Sequence, residues 1–179
     1  MINKIIANKN LIAKILCILA IALFVPEVIA LFGQDFNNVV FTLILYSTGV
    51  LSAVYILILL LTKKELTTKA LIIPVALLFG GPLASYIRNM IELNSWSYPY
   101  YIALYGAAIA MFVVMAFCNK KEIKYVVFML FLIILTLNLL SVFNGSSIGA
   151  ARLILGLIII GNVYLNLDNK GEEEKNETI

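Results

Sequence analysis

Six long apolar stretches alternate with short polar breaks along the chain. The stretches are Ile15–Phe32, Val39–Leu61, Ala70–Ile91, Tyr100–Cys118, Tyr125–Phe143 and Ala150–Leu167. Each is about as long as a helix needs to be to cross a bilayer, and each is apolar at successive positions, not at every second position as in a barrel strand. The pattern predicts an all-α fold: a polytopic transmembrane helical bundle of about six spans over residues 1–167. Because every connection is short, we expect successive helices to be antiparallel neighbours.

The lysines indicate how this bundle is oriented in the membrane. They lie before the first span, between spans two and three, between spans four and five, and after span six: Lys4, Lys9, Lys14, Lys63, Lys64, Lys69, Lys120, Lys121, Lys124, Lys170 and Lys175. With six spans, all of these positions fall on one side of the bilayer. Loops rich in lysine and arginine stay in the cytoplasm during insertion, so we predict that both termini are cytoplasmic in a multi-pass protein of the plasma (cell inner) membrane.

The first apolar stretch has a competing interpretation as a signal peptide. It has a basic start and an apolar middle, and Val28 and Ala30 occupy the −3 and −1 positions of a cut after Ala30. The sequence leaves open whether Ile15–Phe32 is a retained helix or a cleaved segment.

The composition removes several classes of protein. Of the 179 residues, 63% are apolar and 13% are charged, and there is no histidine. With a mean hydropathy of +1.02, a water-soluble fold is excluded. The absence of histidine also excludes histidine-based catalysis and histidine-ligated haem.

The end of the chain departs from this composition. From Asp168 to Ile179 the sequence is rich in glutamate, lysine and asparagine, which offer no apolar side to bury. We therefore predict two regions, a transmembrane helical domain at 1–167 and a disordered cytoplasmic tail at 168–179.

Ionisable residues are rare within the spans, and they fall in the outer halves, away from the lysines. Glu27 is in span one, Arg88 in span three and Arg152 in span six, with Glu92 just beyond span three. Glu27 lies five residues before the outer end of its span, which places it roughly 7–8 Å below the interface at the helical rise per residue. Charges at such depth are costly, which makes them candidates for a functional role.

Span three carries the clearest polar stripe. Small and polar residues recur on one helical face at Gly81, Ser85, Arg88, Asn89 and Glu92. Tyr101 and Tyr105 share a face in span four, as Asn138 and Ser141 do in span five. Pro82, just inward of the stripe, predicts a kink or a break.

Together these residues predict a ligand-binding pocket open to the extracytoplasmic side. Its expected contacts are Glu27, Arg88, Asn89, Glu92, Tyr101, Tyr105, Asn138 and Arg152. The arginines would hold an anionic group, and the tyrosines of span four would stack on a ring. In the competing interpretation, Arg88 and Arg152 reach to lipid phosphates and Glu27 only cancels one of the charges.

Motifs for covalent chemistry are missing. The chain has no nucleophile with a base at a recognised spacing, no metal-binding cluster, no phosphate-binding glycine-rich loop and no basic aromatic patch for nucleic acid. We therefore expect no enzymatic activity, no cofactor, no metal and no nucleic-acid partner. A lipid-modifying enzyme that uses Glu27 as a lone acid or base is the least favoured function.

Two functions remain. The first is binding or transport of a small, anionic solute together with partner subunits, since the nearly aliphatic inner halves of the spans offer no polar exit route. The second is an accessory, assembly or immunity-type subunit, without its own ligand, that packs against other membrane proteins of a larger complex. In that case the buried charges would pair between helices.

Overall fold

The computed structural model describes residues 9–30, 36–62, 66–93, 98–118 and 120–176, and these residues are all-helical. Their six helices are α1 (Lys9–Ala30), α2 (Phe36–Leu61), α3 (Ile72–Leu93), α4 (Tyr98–Phe117), α5 (Lys121–Phe143) and α6 (Ser147–Asn176). Each overlaps one of the six apolar stretches. The prediction of an all-α bundle is confirmed at this level.

The helices form a closed ring. Each helix packs against the next one in the chain, and α6 returns to pack against α1. Helix α6 also contacts α2 and α3, so it borders four of the other five helices. Side chains on its inner face therefore lie nearest to the middle of the bundle.

Aromatic side chains fill the core between α3, α4 and α5. The ring of Phe79 meets Tyr105 edge-on at 5.7 Å and Phe131 at 4.9 Å, and Phe131 lies 5.7 Å from Phe112. All four are buried, with at most 3% of each residue exposed. These edge-to-face contacts hold α3 against the following two helices.

Close backbone approaches hold the remaining helices together. A Cβ atom added to Gly49 on α2 would overlap the ring of Phe24 on α1. A Cβ on Gly149 of α6 would lie 2.9 Å from the Cβ of Ser141 on α5. Only glycine permits these helix separations, as is common for small residues in membrane-type packing.

Helix α3 contains Pro82 within an unbroken helical run, so the break that the sequence allowed does not occur. Pro82 is buried, and the neighbouring Gly81 packs so closely on α2 that an added Cβ would overlap the Thr48 hydroxyl. The buried hydroxyl of Ser52 on α2 donates a 2.8 Å hydrogen bond to the Pro74 carbonyl on α3. Contacts with α2 thus support α3 at both of its prolines.

Helix α6 is longer than the predicted span. It was expected to end near Leu167, but it continues to Asn176, through most of the predicted tail. Glutamate and lysine are good helix formers, so the backbone can continue the helix without an apolar face. Residues 177–179 lie outside the described residues, and disorder of the tail remains a prediction.

Three helices are long and apolar enough to cross a membrane: the stretches Asn10–Glu27, Tyr98–Phe117 and Lys121–Phe143, among the residues described. Shorter apolar stretches occur at Leu45–Leu61 in α2 and Ser147–Val163 in α6. Large apolar side chains also cover the outside of the bundle, including Ile29 at 63% exposure, Phe117 at 70% and Phe143 at 77%. Such extensive apolar exposure is unusual for a protein in water.

Helix α1 is part of the core. Its residues Cys17 and Ala20 are fully buried, and Phe24 is 1% exposed against α2. Whether this helix is retained or removed as a signal peptide stays a prediction.

Candidate functional site

Polar side chains and lysines lie at opposite ends of the bundle. Successive helices run antiparallel, so one end of the bundle gathers the ends of α1 and α3 and the starts of α2, α4 and α6. We call it the arginine end, after Arg152. The opposite end, which we call the lysine end, carries Lys14, Lys69, Lys120, Lys121 and Lys124. Lys4, Lys63 and Lys64 lie outside the described residues.

Arg152 lies on α6, the helix that borders most of the others. Its neighbours on the inner side of that helix, Ala151 and Leu155, are fully buried. The Nε atom of Arg152 is buried and has no hydrogen-bond partner among the residues that the structure describes. A buried guanidinium nitrogen without a partner is costly, and native structures seldom retain one without a reason.

Three tyrosines from three different helices lie near this cation. Tyr46 on α2, Tyr86 on α3 and Tyr105 on α4 all lie close enough to the Arg152 guanidinium to interact with it electrostatically. We call these four residues the arginine cluster. Phenol hydroxyls both donate and accept hydrogen bonds, so the cluster offers neutral polar groups around one positive charge.

Two of these rings are held in place by other tyrosines. Tyr86 stacks on Tyr101 with ring centres 4.7 Å apart and planes inclined by 13°. It also lies 5.7 Å from Tyr105 and 6.2 Å from Tyr98. The face of Tyr101 that was expected to stack on a ligand is therefore used, at least on one side, by Tyr86. Tyr105 is buried, at 3% exposure, and reaches the cluster from the core.

Glu27 lies beside this cluster. Its Oε1 atom accepts a 2.5 Å hydrogen bond from the hydroxyl of Ser147, which joins the end of α1 to the first residue of α6. Glu27 also lies within electrostatic range of Tyr46. Yet no ion pair links Glu27 with Arg152 in the part of the chain that the structure describes. The carboxylate and the guanidinium thus share a neighbour but do not meet.

Arg88 and Glu92, two of the predicted contacts, pair with each other on α3. The Nε atom of Arg88 donates to Oε1 of Glu92, 2.6 Å away and four residues further along the same helix. Their side chains are 31% and 51% exposed. This pair joins two side chains of the same helix, and neither residue is a member of the arginine cluster.

The two predicted asparagines are also outside the cluster. The Asn138 side chain is buried, and its amide nitrogen donates to the Ile134 carbonyl one turn earlier on α5. Asn89 is half-buried on α3, next to Arg88. Of the eight predicted contacts, the structure brings Arg152 and Tyr105 close to each other, and Tyr101 stacks on their neighbour Tyr86. Glu27 shares only Tyr46 with Arg152 as a neighbour.

Three residues of this arrangement were not predicted as contacts: Tyr46, Tyr86 and Ser147. Tyr86 lies seven residues after the buried Phe79 and therefore on the same face of α3, a spacing that could have identified it. In span two, Tyr46 lies on one helical face with Thr42, Gly49 and Ala53, a line of small and polar residues that could have identified it. No sequence signal distinguishes Ser147, which follows a turn at Gly145 that requires a positive φ of 83°.

The lysine end is held by different contacts. The Asn162 side chain on α6 donates to the Leu66 carbonyl between α2 and α3. The Lys69 ammonium lies 5.6 Å from the centre of the Phe117 ring. Both contacts fix the connection between α2 and α3 against other helices, and neither brings several polar groups together at one point.

The arginine end therefore offers the better candidate site, one for binding an anionic group next to a carboxylate. No group of three metal-ligating side chains occurs within the described ranges. Comparison of the chain with protein-family models, with curated proteins and with solved structures finds no match.

Proposed function

We propose that this protein is an integral membrane protein that binds the anionic group of a small solute at the arginine cluster. The observation that carries the proposal is the buried Nε of Arg152, which has no partner among the described residues although three tyrosines lie near the side chain. A carboxylate or phosphate oxygen would satisfy this donor with a charge-assisted hydrogen bond. The neighbouring phenols would donate further hydrogen bonds to the same group.

The orientation follows from the charges. With all six helices as spans and the lysine end in the cytoplasm, both termini are cytoplasmic and the arginine cluster opens toward the extracytoplasmic side. The plasma membrane is the proposed location. Since the spans are almost entirely aliphatic toward the lysine end, release of a solute into the cell would need partner subunits that provide a path.

Binding to the purified full chain in detergent tests the proposal. Acetate, inorganic phosphate, glycine and O-phosphoethanolamine serve as probes, and the readout is the shift in the midpoint of thermal unfolding. We expect at least one of the four to stabilise the wild type, and Arg152→Gln to weaken that binding at least tenfold, because the Gln side chain carries no charge. Arg152→Lys should retain part of the affinity.

Arg88→Gln is the matched control, because Arg88 already has Glu92 as its partner and lies outside the cluster. It should bind the same probe as tightly as the wild type does. Equal loss of binding in both variants, or no response of the wild type to any of the four probes, would contradict the proposal.

A second function is favoured by the outward face of α4. Ala103, Ala107 and Ala110 are exposed along this helix, and a Cβ added to Gly106 would meet nothing within 4 Å. Rows of small residues let a second helix approach closely within a bilayer. This face fits an accessory subunit that packs against a helix of a larger membrane complex.

A bulky substitution on this face tests the second function. Ala107→Trp should release a co-purifying membrane subunit, because the indole would hold the partner helix away from α4. Met129→Trp, at an exposed position of α5 with 58% of the residue accessible, is the control and should leave the complex intact. Purification of the wild type without a stoichiometric partner would count against this function.

A further inference from the structure

Two opposite charges, Glu27 and Arg152, share Tyr46 as a neighbour without pairing with each other. Glu27 is held at the start of α6 by Ser147, and Arg152 follows Ser147 by five residues on that helix. Five residues correspond to about 7.5 Å along a helix axis. Tyr46 lies within electrostatic range of both charged groups.

Elsewhere in the described residues, an arginine and a glutamate that lie close together do form an ion pair. Arg88 and Glu92, four residues apart, close to 2.6 Å on a partly exposed surface, where an ion pair gains little. At the arginine cluster, where water is largely excluded from Nε, a direct pair with Glu27 would gain far more, and it is not formed. The two groups are therefore available to a ligand that carries both charges.

A purely anionic ligand would fit this arrangement less well. Its charge would be attracted by Arg152 but repelled by the neighbouring Glu27 carboxylate. A ligand with an ammonium group and an anionic group would satisfy both side chains, and the carboxylate would select against anions that lack the ammonium.

We infer that the ligand of the arginine cluster is a zwitterion whose ammonium group binds Glu27 and whose carboxylate or phosphate binds Arg152. This inference rests on the proposed function and adds the class of ligand to it. The required chemistry occurs in free amino acids and in the headgroup of phosphatidylethanolamine, which the surrounding leaflet could present at this depth.

Matched probes test the need for the ammonium group. Glycine is compared with acetate, and O-phosphoethanolamine with ethyl phosphate, by thermal unfolding of the full chain in detergent. We expect a zwitterion to bind the wild type at least tenfold more tightly than the anion that lacks the ammonium. In Glu27→Gln this preference should disappear, whereas Glu92→Gln, which removes a carboxylate outside the cluster, should retain it.

Two further measurements complete the test. If Glu27→Gln does not fold, Ser147→Ala replaces it, since loss of the hydroxyl frees the Glu27 carboxylate and should reduce the preference. Nanodiscs of phosphatidylethanolamine and of phosphatidylglycerol identify the source. If phosphatidylethanolamine stabilises the protein, the ligand is the lipid headgroup. If free glycine stabilises the protein in phosphatidylglycerol nanodiscs, the ligand is a soluble solute.

Other results would overturn the inference in distinguishable ways. If acetate and ethyl phosphate bind as tightly as their zwitterionic counterparts, and Glu27→Gln changes nothing, the ligand is an anion and only the proposed function stands. If Arg152→Gln does not reduce the stabilisation by any probe or lipid, both proposals fail. In that case Tyr46 bridges the two charges as a structural contact.

Discussion

Gly149→Leu is expected to destabilise the protein by about 1–3 kcal/mol, the usual range for overpacking of a closely packed contact. Even the first atom of the new side chain would lie 2.9 Å from the Ser141 Cβ and 3.1 Å from the Asn138 carbonyl oxygen. Neither is the flexible end of a side chain, so α5 and α6 must separate. The free energy of unfolding in mixed detergent micelles measures the effect.

Gly161→Leu provides the control on the same helix. A Cβ at Gly161 meets nothing within 4 Å, so the larger side chain should be tolerated, with a gain of up to about 1 kcal/mol from helix propensity. Equal stability of the two variants would mean that α5 and α6 are not in close contact at Gly149. Because Arg152 follows Gly149 by three residues, the first variant should also weaken ligand binding.

The helices were predictable because their signal is local. Continuous apolar runs identify each one, and the errors lie at the ends. Helix α5 begins at Lys121 instead of Tyr125, because a hydropathy scan discards the charged first turn although its backbone is helical. The positions of the lysines and of Arg152 at opposite ends of the bundle also follow from the alternating direction of the spans, without knowledge of how the helices pack.

The partners of the charged residues were not predictable in the same way. Arg88 and Glu92 were assigned to a ligand, although their spacing of four residues also predicts a pair on one helix. The rotation that directs Arg152 inward cannot be derived from α6, because its apolar residues surround the helix and define no face. Contacts of α6 with α1, α2, α3 and α5 determine that rotation, and they are long-range.

The predicted alternative, in which both arginines reach lipid phosphates, has to be considered for each arginine by itself, because their environments differ. The Arg88 guanidinium uses its Nε for Glu92, and the side chain retains 31% exposure. The Nε of Arg152 is buried and unsatisfied, so reaching a lipid phosphate with the terminal nitrogens would still leave this donor without a partner. The two arginines are therefore expected to respond differently to the same substitution.

Arg152→Met should stabilise the ligand-free protein, by about 1–3 kcal/mol, while it abolishes binding. Methionine has an unbranched apolar side chain without a hydrogen-bond donor, so the substitution removes the desolvation penalty of an unpaired buried donor. Residues that bind ligands commonly impose such a cost on the free protein. The midpoint of chemical unfolding, measured without and with the best probe, reports both effects.

Arg88→Met is the comparison that separates a functional charge from a structural one. Its ion pair with Glu92 is local and partly exposed, so the loss of that pair should lower the free energy of unfolding by less than about 1 kcal/mol. If Arg152→Met instead destabilises the ligand-free protein by more than Arg88→Met does, the Arg152 guanidinium makes a net stabilising contact in the resting protein. The argument for an anion-binding site at the arginine end would then fail.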